Sequence, residues 1–205
     1  MNEADPRVKR TRKLLQEAFM ELLAEKSFHA ISVQDIAERA TLNRATFYAH
    51  FEDKYALMDY MVGDLFREAL QRRLASATPF TRSNLHVLVV TVCEFLAQFN
   101  GHCAPAVRDL DPRIEAKVQQ ELHAFLLRWL SQASPDGAST TSHRANHQAA
   151  ASMMSWAIFG TSIEWSRGNR RISVDEWAGQ ILTLLLEGIA QLIHIGAMSP
   201  HDAGL

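Results

Sequence analysis

The chain is short of most features that tie a sequence to a particular chemistry. Its 205 residues hold 2 cysteines, 9 glycines and 6 prolines. Cys93 and Cys103 have neither metal-ligand spacing nor the pattern of a disulfide framework, and we read them as buried, inert thiols of a reducing compartment. A thiol switch, with His102 lowering a pKa, is the sharper alternative. Uninterrupted apolar runs are lacking too. The two most apolar stretches are broken by Glu94 and Glu187, well short of the ~20 residues of a membrane span. The first residues are charged, without an apolar signal core, so we expect a cytoplasmic protein that does not enter the membrane. The formal net charge is −2, so total charge carries no nucleic-acid signal. No nucleophile–base pair, Gly-rich phosphate loop or H-E-x-x-H motif occurs, and we expect neither an enzyme nor a bound cofactor or metal. His143 and His147 stand four apart on a helix, but no carboxylate completes a metal site, and they read as solvated.

With so little glycine and proline, and abundant Ala, Leu, Gln, Glu and Arg, the chain reads as all-α. Charge is patterned although it nearly cancels: Arg7, Lys9, Arg10, Arg12 and Lys13 form an acid-free cluster that either neutralises phosphates or simply solvates a helix start. The first helix should run from about Arg7 to Lys26, with Leu14, Leu15, Ala18, Phe19, Leu22 and Leu23 on one face and Pro6 at its entry. "SFHAI" reads as a loop. Ser32 with Asp35 three later predicts a capping box for a second helix. After the break Thr41-Leu42-Asn43, Asn43 should cap a short third helix, Arg44 to Phe51, and Asp53 a fourth, Lys54 to about Ala75.

Further helices are expected at about Arg82–Phe99, with "GHCAP" as a break. Others follow from Asp111-Pro112 to Gln132, over His143–Arg167, and from Ser173, boxed with Glu176, to near Gly196. "SPDGASTTS" reads as a loop.

Helix, three-residue turn and short helix make a helix-turn-helix, whose second helix enters the major groove. Asn43, Arg44 and Thr46 project polar groups from the start of that helix, and Tyr48 and His50 can donate to phosphate oxygens. Phe47 and Phe51, four apart, can share a face turned toward the first two helices, leaving Tyr48 on another. The alternative is that all four rings are core.

The first 60 or so residues resemble the TetR/AcrR family of bacterial transcriptional regulators. "TRKLLQEAFMELLAEKSF" is similar to the family's first helix. "ISVQDIAERATLNRATFYAHFEDKYAL", with T-F-Y-x-H-F-x-x-K at Thr46, Phe47, Tyr48, His50, Phe51 and Lys54, is similar to its helix-turn-helix and the start of its fourth helix. The resemblance implies phosphate or sugar contacts from Thr46, Tyr48, His50 and Lys54, and from one or both of Arg10 and Arg12. It implies that Asn43, Arg44 and Ala45, with Gln34 and Tyr48, lie against bases. The chain departs from the family at Thr41, where the turn usually has Gly. A β-branched residue there means a different turn or accepted strain. Ala45 stands where Gly or Pro is common, and its methyl could meet a thymine methyl.

This reading divides the chain into a DNA-binding domain, 1–53, and a larger helical effector-binding and dimerisation domain, 54–205. The last two helices are apolar over more than one face, which implies a partner. Ile158, Trp165, Ile181, Leu185, Ile189 and Leu192 are the expected dimer interface. Phe66, Cys93, Phe99, Phe125, Trp129 and Trp156 are candidate walls of a pocket for an apolar or aromatic effector. The expected function is a homodimeric repressor on a palindromic double-stranded DNA operator, released by a small molecule. A DNA binder without small-molecule control is one alternative, and an all-helical enzyme or ligand carrier is another.

Overall fold

A computed structural model describes residues 5–74, 78–102, 111–133, 141–168 and 171–187. Among these the chain is all-helical. The elements are α1 (Pro6–Glu25), α2 (Val33–Arg39), α3 (Arg44–His50), α4 (Lys54–Arg73), α5 (Arg82–His102), α6 (Asp111–Ala133), α7 (Thr141–Arg167) and α8 (Val174–Glu187). No described helix is long and apolar enough to cross a membrane. No described group of His, Cys, Asp or Glu could hold a metal ion.

The helix starts follow from local chemistry. Pro6 sits in the first turn of α1, where its missing N–H costs nothing, and the Asp5 carboxylate accepts from the Arg7 N–H at 2.8 Å. Ser32 and Asp35 form both halves of the capping box at α2. The Ser32 hydroxyl and N–H, with the Lys26 ammonium 3.0 Å away, hold the Asp35 carboxyl down at about 2. Asn43 caps α3 and Asp53 caps α4, each side chain accepting an N–H three residues on. At α8 the Glu176 N–H donates to Ser173 Oγ at 3.1 Å.

Two expectations need correction. "SFHAI" is not an open loop: Phe28–Ala30 forms one 3-10 turn, held because Phe28 is fully buried. Also, α5 continues through Gly101 and His102, so the helix does not end at Phe99. Cys103, the "SPDGAS" segment and the expected end of α8 at Gly196 lie outside the described residues.

The turn between α2 and α3 is a Schellman closure. The Leu42 N–H donates to the Ala37 carbonyl at 2.8 Å, and the Thr41 N–H to the Glu38 carbonyl at 3.0 Å. This closure requires a left-handed residue at position 41, and Thr41 adopts φ 56°. The family's usual glycine would take that conformation freely, so this chain accepts the strain rather than changing the turn.

The core is one continuous cluster. Leu15, Phe19, Phe28, Ile36 and Phe47 pack in the N-terminal helices. Leu57, Met58, Met61 and Phe66 of α4 carry the apolar contacts onward to α5, α6 and α7. The buried side of α6 crosses α4 at Gly63, where an added Cβ would come within 2.8 Å of Lys117 Cε and 3.0 Å of Glu121 Oε1. A residue with a side chain there would have to displace the Lys117–Glu121 ion pair. Replacing Thr41 by glycine should raise unfolding stability by about 1 kcal/mol, the left-handed cost less the added freedom of the unfolded chain. Urea denaturation reads this as a higher midpoint at unchanged m.

Candidate nucleic-acid interface

With 7 residues, α3 is too short to persist alone, and its position is set by packing. Phe47 is fully buried, and Phe51 lies beside it with ring centroids 6.0 Å apart. Phe51 meets Tyr60 of α4 at 5.4 Å. Burying one such ring contributes about 2–3 kcal/mol. Hence the aromatic cluster divides as its spacing predicts: Phe47 and Phe51 are core, and Tyr48 is turned outward, 49% exposed.

The outward face carries Asn43, Arg44, Ala45 and Tyr48, all exposed, with Thr46 half-buried. Arg44 lies against Tyr48: its Nη2 donates to Tyr48 Oη at 3.3 Å, and the guanidinium stands 5.8 Å from the ring centroid. Asn43 Oδ1 is occupied by capping, accepting from the Thr46 N–H at 2.7 Å and the Thr46 hydroxyl at 3.0 Å. That leaves Asn43 its amide donors for a ligand. Gln34 is exposed on α2, where its amide donates to the Glu38 carboxylate. Arg10 is exposed on α1.

The three other expected DNA contacts sit less openly. Arg12 is half-buried, its guanidinium 4.9 Å from the Tyr60 ring centroid and 5.8 Å from that of Phe51, so it ties α1 to the α3–α4 junction. His50 is half-buried, and its Nδ1 is buried without a hydrogen-bond partner. Burial, and then the Arg12 charge, pushes the His50 imidazole below its ordinary value, so at pH 7 it is neutral. Lys54 is turned inward. Its Nζ donates to the carbonyls of Ile31 at 2.7 Å, Phe28 at 2.9 Å and His29 at 3.3 Å, over the Phe28 ring at 4.6 Å. The ammonium closes the 3-10 turn onto the start of α4. Its role in holding the head together was not legible in the motif, because those carbonyls come from a segment read as a loop.

The residues behind the interface were missed as well. Arg113 of α6 grips Asp59 of α4 in two hydrogen bonds of 2.6 and 2.7 Å, and its guanidinium lies 5.1 Å from the Tyr55 ring centroid. Tyr55 packs edge-on to Phe28 at 4.9 Å. The body therefore reaches the head through Arg113, Tyr55 and Phe28. Nothing in the sequence around Arg113 signals this, since the contact depends on α6 lying along α4.

A three-helix head that buries one face of a short helix and leaves its polar face open is a helix-turn-helix. Its sequence matches the model of "bacterial regulatory proteins, tetR family" over residues 15–61, so this part of the chain is similar to that family. An uncharacterized HTH-type transcriptional regulator, YxbF of Bacillus subtilis, is 37% identical over 78 residues, 38% of this chain and 20% of the relative. The dhaKLM operon transcriptional activator DhaS of Lactococcus lactis is 33% identical over 60 residues, 29% of this chain and 32% of the relative. The chain thus spans a third or less of the curated relatives it matches. A solved structure of the fatty acid degradation regulator FadR from Bacillus halodurans shares the fold with TM-score 0.53 at 18% identity, over 87% of this chain and 96% of that one.

A Lys54→Met substitution keeps the apolar stem and strips three carbonyls of their donor. It should lower unfolding stability by about 1–3 kcal/mol in urea denaturation. A lysine that served DNA phosphate alone would leave stability unchanged.

Proposed function

We propose that the chain is a transcriptional regulator that binds an inverted-repeat operator as a homodimer and is released by a small molecule. The observation that carries the reading is the open face of α3, where Arg44 and Tyr48 are held outward by the buried Phe47. The name of DhaS, an activator, belongs to a relative whose curated match covers 29% of this chain. We keep the repressor assignment that the family resemblance implies. The working division is a head, 1–53, and a body, 54–205, acting on DNA in the cytoplasm.

Two-fold pairing is supported by an exposed apolar face on the last helices. On α7, Met153 is 74% exposed and Trp156 62%, followed one turn on by Gly160, whose Cβ position meets nothing within 4 Å. On α8, Leu184 and Leu186 are exposed. We place the proposed interface on these exposed side chains. Ile158 and Ile181 are buried within the chain itself, and Trp165 and Leu185 are half-buried against its core. Ile189 and Leu192 lie outside the described residues. Trp156, a candidate pocket wall in the sequence, is taken in this proposal as part of the outer face.

Release is proposed to act through α4. Recognition helices must stand ~34–36 Å apart to meet successive major grooves. A tilt of α4, which the Arg113–Asp59 grip would transmit to Tyr55 and Phe28, alters that separation. A coupling of about 1–3 kcal/mol, or ~5–150-fold in affinity, makes a switch.

Genomic DNA selection with purified protein at two salt concentrations should enrich one inverted repeat, and Tyr48→Ala should abolish the enrichment. Binding that stays salt-sensitive and sequence-independent would overturn the regulator reading. Trp156→Glu should turn the dimer into a monomer in sedimentation and lose cooperative operator binding while leaving thermal unfolding of the monomer intact. A variant that remains dimeric would move the interface elsewhere.

A further inference from the structure

The expected pocket residues divide in two. Phe66 and Cys93 are fully buried in the core, and burial pushes the Cys93 thiol up to about 11. The Phe99 side chain is outside the described residues. Phe125 and Trp129 instead line a cleft of about 200 Å³ between the distal halves of α4 and α6. A cavity of about 150 Å³ is enough for benzene, so this space suits one aromatic ring with a short substituent.

The walls are rigid and flat. Trp129 is 5% exposed, and its indole N–H donates to the Thr78 carbonyl at 2.6 Å. Phe80 packs edge-on to it at 5.0 Å and Phe125 lies at 5.5 Å. Leu70 of α4 and Leu74, its C-cap, close the other side. The polar lining is unbalanced toward positive charge. Glu121 is shared between Arg67 at 2.8 Å and Lys117 at 2.9 Å. Arg67 has a second acid, Asp64, at 3.4 Å. Arg128 lines the same cleft from α6, exposed, with no ion pair among the described residues. A cationic ligand would meet a surplus of cations, whereas a carboxylate would give the Arg128 fork the planar partner it lacks.

We propose that this cleft is the effector site and that its ligand class is a small aromatic carboxylate, the ring against Trp129 and Phe125 and the carboxylate on Arg128. The inference rests on the effector-release reading above. It adds a route from the site to the head. The cleft opens beyond the close crossing at Gly63, and the Arg113–Asp59 grip lies on the other side of that crossing. A ligand wedged between the distal halves of α4 and α6 therefore loads the same pair of helices whose near end touches Tyr55.

The test is calorimetry on the full chain with trans-cinnamate and with cinnamyl alcohol, which has the same ring and arm without the charge. Cinnamate should bind at least about tenfold tighter than the alcohol. Arg128→Gln, at an exposed position, should bring cinnamate down to the alcohol's level. Gln71→Trp, which fills the rim from the exposed side of α4, should abolish both. Equal binding of the two probes, no effect of Arg128→Gln, or no binding of either overturns the proposal. Operator affinity is measured separately in the same samples. If cinnamate binds through Arg128 and operator affinity does not change, the ligand class stands and the release reading falls. If the operator is bound but cinnamate is not, the ligand class falls and the regulator reading stands.

Discussion

A seven-residue helix does not hold itself in water, so the function of the head depends on how Phe47 is buried. Once that ring is seated among α1 and α2, the orientation of α3 follows, and Tyr48, next in sequence, has to point away from the core. The Asn43 cap sets where the helix begins, and the Schellman closure at Thr41 sets the angle at which it leaves α2. Arg12, lying over Tyr60 and Phe51, and Lys54, reaching back to three carbonyls, fasten the same junction from the other side. Two cations that the resemblance casts as phosphate ligands, Arg12 and Lys54, therefore serve as fasteners of the domain. A helix that has to be presented rigidly needs this support, because its own hydrogen bonds supply little of it.

How much could be read in advance follows the range of each interaction. Helix starts were legible: Pro6, Ser32 with Asp35, Asn43 and Asp53 act within three residues of themselves, and the structure puts each at a helix start. The division of Phe47 and Phe51 from Tyr48 was legible in part: helical spacing allowed it but left open that all four rings are core, and the exposure of Tyr48 decides between the two. Thr41 could be flagged but not resolved, because sequence cannot tell a strained turn from a rearranged one. Long-range pairs were illegible. Arg113 with Asp59, and Arg67 with Glu121, are each 54 residues apart, and no local pattern joins them. Which apolar residues of the last two helices are covered was not legible either: Ile158 and Ile181 are buried within the chain, while Met153 and Trp156 are exposed.

The line formed by α4 and α6 organises the rest. The two helices touch at three levels: the Asp59–Arg113 grip near the head, the crossing at Gly63, and the aromatic cleft at the far end. At the crossing, a side chain in place of Gly63 would push against the ends of Lys117, Glu121 and Arg67. The ion pairs around it, Lys117 and Arg67 on Glu121, are half-buried and hold the crossing laterally without filling it.

The continuous core also bears on how the protein could be taken apart. Leu57, Met58 and Met61 of α4 belong to the same cluster as Phe19 and Phe28 of the head. A cut at residue 53, where the recognition motif ends, would leave half of that packing on each fragment. Grafting this head onto a foreign body would therefore need a junction carried well into α4, past Met61. Chimeras joined at the motif's edge would trade a specific interface for an exposed apolar seam. For this chain, the packing runs across the edge of the motif.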